Sequence, residues 1–410
     1  MKSLLGVFLW LAFFFHNLQC REIGLHLEDL LDCFKNSEYS KGLEARRKTA
    51  IEAIAGAREG LPWEISWSRE KNPGFGREDF SVLSKEFRLP WLRRNLKGLM
   101  SVEAREHDLQ LQREYLARLY EIQSMFYETR FIEGNAKLHQ KYRRRLSSLL
   151  KKHRQRVMGG EGLAVDALRI EQEHNLETLR EASSWSAHAA SKKKLIRLAH
   201  YYLPEGSGSS DFNLLGELLP VWKTANFEKA VLAIGENLEL AAILLKIEKL
   251  TLKARNQAKS KIRTVRLEAG QKRVLDVGVN DRANLFEVST QLPFQDPYGS
   301  QRKASKARLK VETLRLKERQ KILQSHLKIH SDKLEMLIAQ HSMVKPRIQK
   351  ANQRILSLAE QTFFGGEGTL TDLLDSYRGQ FEANLELLEL AFNARKEWIL
   401  FHRKLQGLEE

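Results

Sequence analysis

Gly159-Gly160-Glu161-Gly162-Leu163-Ala164-Val165-Asp166-Ala167-Leu168 and Gly365-Gly366-Glu367-Gly368-Thr369-Leu370-Thr371-Asp372-Leu373-Leu374 are two copies of one pattern, Gly-Gly-Glu-Gly-x-x-x-Asp-x-Leu. They begin 206 residues apart, at positions 159 and 365 of a 410-residue chain. Each lies between two long stretches whose apolar residues recur with helical spacing. A Leu-Pro pair repeats at nearly the same offset, as Leu89-Pro90 and Leu292-Pro293. Shared punctuation at equal spacing marks a duplicated structural unit. The expected organisation is a targeting segment over 1–20, a first repeat over 21–203, a linker over 204–211 and a second repeat over 212–410.

Outward from these turns, each half reads in the same order. In the first, a helical pattern over 39–60 precedes Trp63-Glu64-Ile65-Ser66-Trp67-Ser68, which alternates with period two and puts two tryptophans and an isoleucine on one face. A loop at Asn72-Pro73-Gly74 leads to a second strand around Phe80–Leu89. A long helix over 91–157, a Gly-Gly-Glu-Gly reversal and a return helix over 163–200 follow. At about 1.5 Å per residue the long helix reaches ~100 Å, far beyond what a globular core needs. In the second half a helix is expected over 226–270, then strands at Val274–Val279 and Leu285–Leu292 around Asn280-Asp281. A long helix over 298–364 and a return helix over 370–408 complete it. Leu323, Leu327, His330, Leu334, Leu337, His341, Val344, Ile348, Ala351, Ile355 and Leu358 step by fours and threes, and nine of these eleven positions are apolar, a coiled-coil type of seam. Pro346 is expected to interrupt and bend that helix.

Composition narrows the function. Eight prolines in such a length favour long helices. The net charge of +16 would suit a nucleic-acid binder, but lysines and arginines interleave with glutamates, as in Glu312, Arg315, Lys317, Glu318, Arg319 and Lys321. That is the solvated face of a helix, so no nucleic-acid partner is expected. Lys2 followed by the apolar run Leu4–Phe15 reads as an export signal too short to span a membrane. Cys20 is a candidate for lipidation, with simple cleavage nearby as the alternative. The two cysteines, Cys20 and Cys33, are too few for a disulfide scaffold. His326 and His330 have the i, i+4 spacing of a metal pair but lack a third ligand. Gly-Gly-Glu-Gly lacks the Lys-Ser/Thr of a phosphate loop. The expectation is therefore no enzyme, no cofactor and no bound metal.

Four strands, some aromatic on one face, cannot close a barrel alone, and membrane-inserted strands require closure. Either they form small soluble sheets, or each chain donates part of a barrel shared in an oligomer.

The segment Phe363-Phe364-Gly365-Gly366-Glu367-Gly368-Thr369-Leu370-Thr371-Asp372-Leu373-Leu374-Asp375-Ser376-Tyr377-Arg378 resembles the signature of the TolC-like outer membrane efflux proteins. Ser289-Thr290-Gln291-Leu292-Pro293-Phe294 is similar to that family's strand-to-helix junction. The order of elements matches in both halves, from about 25 to 408. The resemblance implies a mixed but mostly helical membrane protein with a two-fold internal repeat. Long antiparallel hairpins would form a periplasmic tunnel, and four strands per chain a twelve-stranded barrel in a homotrimer. It also implies an outer membrane location in contact with its lipid, and a passive duct of a tripartite efflux or type I secretion system. A periplasmic adaptor and an inner-membrane pump would be its partners. The clear doubling looks closest to the heavy-metal, CzcC-like branch. A periplasmic coiled-coil scaffold or adaptor without a barrel is the alternative.

Carried over residue by residue, the family's periplasmic gate falls on Asp372 and Asp375, one turn apart on one helix face. The first repeat offers Asp166 and, in place of the second acid, Arg169. The family's gate tyrosine corresponds to Phe363, which has no hydroxyl, and a gate arginine of some members to Gly368. These departures suggest a substitute latch between Arg169 and Asp375 of a neighbouring hairpin. Asp166 and Asp372 also suit helix N-termini through the dipole. Gly159, Gly160, Glu161, Gly162, Gly365, Gly366, Glu367 and Gly368 would present two tips to the adaptor, besides reversing the chain.

Overall fold

Ala, Leu, Glu, Arg and Lys, strong helix formers, fill the stretches on either side of each glycine turn, and the chain is accordingly dominated by helices. The structure, a computed structural model, describes residues 23–56, 63–72, 76–88, 90–200, 212–259, 264–276, 279–290 and 299–408. In order these are β1 (Ile23–Leu25), α1 (Leu27–Asn36), α2 (Glu38–Gly56), β2 (Trp63–Asn72), β3 (Gly76–Arg88), α3 (Pro90–Met158), α4 (Ala164–Ala199) and β4 (Phe212–Leu214). Then come α5 (Thr224–Leu232), a 3-10 turn (Ala233–Glu236), α6 (Leu238–Lys259), β5 (Thr264–Asp276), β6 (Val279–Thr290), α7 (Gly299–Gly365) and α8 (Leu370–Gln406). The expected signal segment 1–20 with Cys20, the linker 204–211, Leu89, Leu292-Pro293 and the Pro73-Gly74 turn lie outside the described residues.

Two compact units interleave along the sequence, so residues of both halves contribute to each. One comprises Met1–Lys41, Tyr115–Ala233 and Gln324–Glu410, the other Gly42–Glu114 and Ile234–Leu323.

The first unit is built on two helical hairpins, the C-terminal part of α3 with α4 and that of α7 with α8. Two apolar clusters hold it. One gathers Leu30, Phe34, Ile122, Phe126 and Leu195 around the short parallel pair β1–β4, where Leu25 and Leu214 point inward. Lys192 is buried there; its Nζ donates to the Phe212 carbonyl (2.5 Å) and lies 4.1 Å from that ring's centroid, so the charge is compensated rather than stranded. The other cluster, of Tyr142, Leu146, Leu149, Ile170, Leu356, Phe363, Leu370, Leu373 and Tyr377, joins the two hairpins next to their turns. Burying several such side chains, each contributing about 1.5–3 kcal/mol, fixes the turns against one another.

The second unit carries an antiparallel sheet of strand order β2-β3-β5-β6. Arg88 pairs with Thr264 and Arg77 with Leu275, so the strand pairs of the two halves form one continuous sheet. Both hairpin reversals fall at the same end of it, and β2 and β6 are its edges.

Several expectations shift here. The helix expected over 226–270 is broken at Ala233–Glu236, and Asn237 restarts it. Its Oδ1 accepts from the amides of Glu239 (3.0 Å) and Leu240 (3.2 Å), an N-cap. That helix ends at Lys259, and residues from Thr264 are strand, because twelve residues of β3 pair with them. Asp276 pairs with Val279, so Asn280 and Asp281 belong to the ladder and not to a turn. Pro346 does not interrupt α7, which runs on to Gly365. Ser342 and Pro346 are both exposed, so water can satisfy the carbonyl that the missing N–H leaves free.

Candidate functional site: two unequal helical turns and a two-faced sheet

The glycine turns are the same backbone object twice. In the first, the Gly160 N–H donates to the Val157 carbonyl (3.1 Å) and the Glu161 N–H to that of Arg156 (2.9 Å). In the second, Gly366 donates to Phe363 (3.2 Å) and Glu367 to Thr362 (2.9 Å). Both are Schellman C-caps, which close a helix through one left-handed residue. That residue is the second glycine, with φ +81° at Gly160 and +84° at Gly366. The third glycine is needed for space: a β-carbon on Gly162 would meet Val157 at 3.1 Å, and one on Gly368 the Thr362 Oγ1 at 2.9 Å. The first glycine has no such role, since nothing lies within 4 Å of a β-carbon on Gly365.

Beyond the glycines the copies diverge. At the second turn the Thr369 Oγ1 accepts from the Asp372 N–H (3.1 Å), while Asp372 Oδ2 accepts from Thr369 Oγ1 (2.6 Å) and N–H (3.3 Å), a complete capping box. At the first, Leu163 holds the cap position, has no side-chain bond to give, and leaves Asp166 without that partner. Leu370 and Leu373 are buried under the second turn, whereas Ala164 and Ala167 occupy the matching places in the first. The first turn instead exposes Met158 (80 %), Leu163, Val165 and Leu168 (65 %).

The expected gate residues are distributed unevenly. Asp372 is exposed and held in its cap. Asp375 is exposed and accepts from Arg378 Nη1 (3.3 Å), and Arg378 Nη2 reaches Glu173 of the other hairpin (3.4 Å). Arg169 is exposed with no partner among the described residues. Phe363 is buried in the cluster between the hairpins, its ring 5.7 Å from that of His153, and its carbonyl accepts from Arg156 (3.5 Å). Tyr142 and Tyr377 belong to the same cluster. Burial, helped by Glu173 and Glu360 respectively, pushes both phenols up, so they stay protonated donors. The Glu173–Arg378–Asp375 chain has a partial sequence signal, the i, i+3 spacing of Asp375 and Arg378; its long-range half has none.

His330, half of the histidine pair noted above, is engaged in structure: Nδ1 meets Glu397 Oε1 at 2.5 Å, and Lys333 holds the other oxygen of that carboxylate. Among the described residues no group of three or more His, Cys, Asp or Glu side chains could hold a metal.

The sheet of the second unit has two different faces. Its register puts Trp63, Ile65, Trp67, Leu83, Phe87, Val265, Leu267, Phe286 and Val288 on one side. Several of these large side chains are exposed, Ile65 at 83 % and Phe286 at 76 %. Among the described side chains of the opposite side are seven acids (Glu64, Glu70, Glu78, Glu86, Glu268, Asp281, Glu287) and two bases, Arg266 and Lys272. No described helix is long and apolar enough to cross a membrane.

No protein-family model matches the chain, and no curated protein matches it by sequence. Solved structures do share its fold. The outer membrane protein VceC of Vibrio cholerae is 14% identical over 94% of this chain and 97% of its own, with a TM-score of 0.72. CusC, whose structures address folding and transmembrane channel formation, is 12% identical over 94% of each chain, also at 0.72. The Campylobacter jejuni outer membrane channel CmeC is 11% identical over 93% of this chain and 86% of its own, at 0.70. At such identities the likeness establishes the fold, that of outer membrane channels, over nearly the whole chain. It does not single out the heavy-metal branch.

Proposed function

We propose that this protein is the outer membrane channel of a tripartite efflux or type I secretion system. It is a passive duct, not an enzyme, and serves cargo delivered by an inner-membrane pump through a periplasmic adaptor. The observation that carries the reading is the two-faced sheet. Its strands of 10, 13, 13 and 12 residues suit a spanning strand, which needs about 9–11. One face is apolar, aromatic and exposed over the half of the strands away from the reversals, and the other is polar and acidic, which is the alternation of a lipid-facing and lumen-facing wall. The edges β2 and β6 carry unpaired backbone groups that hydrocarbon does not tolerate. Three copies joined edge to edge give twelve strands and no edge, so the working form is a homotrimer.

In this reading the helical hairpins line a periplasmic tunnel and the glycine turns form its tip, where Asp166, Arg169, Phe363, Asp372 and Asp375 surround the constriction. Phe363 acts from within the wall, as packing that sets the tip's position. Rings of Asp372 and Asp375 favour cations. Arg169, unpartnered among the described residues, latches to Asp375 of a neighbouring hairpin in competition with Arg378. The tip residues Gly159–Gly162 and Gly365–Gly368 meet the adaptor. Cargo choice, metal ions in the CzcC-like version of the reading, lies with the pump.

Membrane fractionation of the expressed protein, followed by native mass determination in detergent, tests this. Outer membrane recovery as a trimer supports the duct. A water-soluble monomer contradicts it and leaves the periplasmic scaffold.

A further inference from the structure

The apolar face of the sheet is not apolar along its whole length. Its apolar positions cluster in the half of the strands away from the hairpin turns: Trp63, Ile65 and Trp67 on β2, Leu83 and Phe87 on β3, Val265, Leu267 and Ala269 on β5, Phe286 and Val288 on β6, with Lys85 the single described charge among them, its Nζ 4.5 Å from the Trp63 ring. Toward the turns the same face changes character. One row across the sheet reads Arg69, Asp79, Arg273, Arg282, and the next reads Lys71, Arg77, Leu275, Asn280. These rows hold five cations against one carboxylate. Asp79 is already bound by Arg69 (2.8 Å) and Arg77 (3.1 Å). Arg273 and Arg282 stand directly opposite each other on β5 and β6, a like-charge placement that destabilises a sheet when nothing lies between. Arg273 has only the Asn280 Oδ1 (3.0 Å), and Arg282 and Lys71 have no partner among the described residues.

We infer that this basic collar binds the phosphate groups of anionic lipids in the membrane leaflet at the hairpin end of the barrel. Resting on the channel reading above, the inference takes the apolar band as fixing the depth of the sheet, which puts the adjoining rows at headgroup level. Cations are costly on a lipid-facing surface at mid-membrane and nearly free of cost at its boundary. Arg69 keeps its guanidinium 4.8 Å from the Trp67 ring at the border of the apolar band, and Arg273 turns toward Asn280 in the row nearer the turn. Two opposed guanidiniums match a phosphate, whose oxygens accept paired N–H donors and relieve the repulsion between them. Arg77 and Arg273 lie on the inner strands β3 and β5, so edge-to-edge joining of copies leaves them facing lipid. Asp79 is already held by Arg69 and Arg77, and the other described acids of the sheet lie on the opposite face, so none competes for Arg273 and Arg282.

The test uses the full chain in detergent, titrated separately with phosphatidylglycerol and phosphatidylcholine, with bound lipids counted by native mass spectrometry and bilayer conductance recorded on the same preparation. The wild type is expected to prefer phosphatidylglycerol. R273Q/R282Q should lower that preference by at least about tenfold. R273K/R282K, which keeps the charge and loses the paired guanidinium donors, should fall between the two, and K317Q/K321Q, which removes two exposed helix charges, should leave it unchanged. Equal retention of the two lipids, or an equal fall in K317Q/K321Q, overturns the inference. So does displacement of phosphatidylglycerol by inorganic phosphate, which would mark a general anion site. A preparation that conducts without lipid preference overturns the collar alone; one that neither inserts nor conducts overturns the channel reading with it.

Discussion

The two glycine turns share a backbone and differ in nearly everything that follows it. After the second, Thr369 and Asp372 complete a capping box and Leu370 and Leu373 fill a core. After the first, Leu163 cannot cap, two alanines replace the buried leucines, and Met158, Leu163, Val165 and Leu168 face solvent. The conserved element between the copies is therefore the reversal, set by one left-handed glycine and one close-packed glycine. The divergent element is what each tip offers: a self-satisfied polar start in one, an apolar and uncapped start in the other. A tip whose groups are already paired is suited to holding the wall, and one with unpaired groups is suited to meeting something else.

The largest expected effect comes from the core side of this contrast. Leu373→Ala should cost about 2–5 kcal/mol, read as a lower thermal midpoint of the purified protein, because it opens a cavity at a fully buried position. Leu168→Ala, exposed at the corresponding turn, should stay within about 0.5 kcal/mol; a comparable loss there would mean that the first tip is covered. Next in size, Gly160→Ala and Gly366→Ala should each cost about 1–2 kcal/mol through the left-handed position, and equally so if the reversals are equivalent. Gly365→Ala should be neutral or stabilising. The cap contrast is smaller and can be swapped. Thr369→Leu should lose about 1 kcal/mol, and Leu163→Thr should gain part of that by giving Asp166 the missing partner. Smallest is the latch. An exposed pair contributes on the order of 1 kcal/mol or less, so Arg169→Ala should raise single-channel open probability by no more than about fivefold. No rise would dispose of the latch.

Much of the helical framework was legible because its ends carry local signals. The expected long helix over 91–157 is α3 at Pro90–Met158, and the return helix over 163–200 is α4 at Ala164–Ala199. In both places a glycine C-cap or its neighbours set the boundary. The strand β5 was not legible. Leu267-Glu268-Ala269 and Gln271-Lys272-Arg273 are residues that favour helix, and the strand exists because β3 and β6 pair with it on both sides. The charge division of the sheet was hidden for a related reason, since a register slip of one residue would exchange its faces. At the tips, the opposed charges of Arg169 and Asp375 could be read from the repeat. That Arg378 bridges Asp375 to Glu173, 205 residues away from it, could only come from the packing of the hairpins.

The central claim is that three copies enclose an acidic conduit through a membrane. It is tested most directly by the reversal potential of the purified full-length protein in a planar bilayer under a potassium chloride gradient. The account predicts discrete trimer-dependent conductance with cation selectivity, weakened by E268Q/E287Q on the inner face. Absence of conductance, or anion-selective channels indifferent to those substitutions, would contradict it.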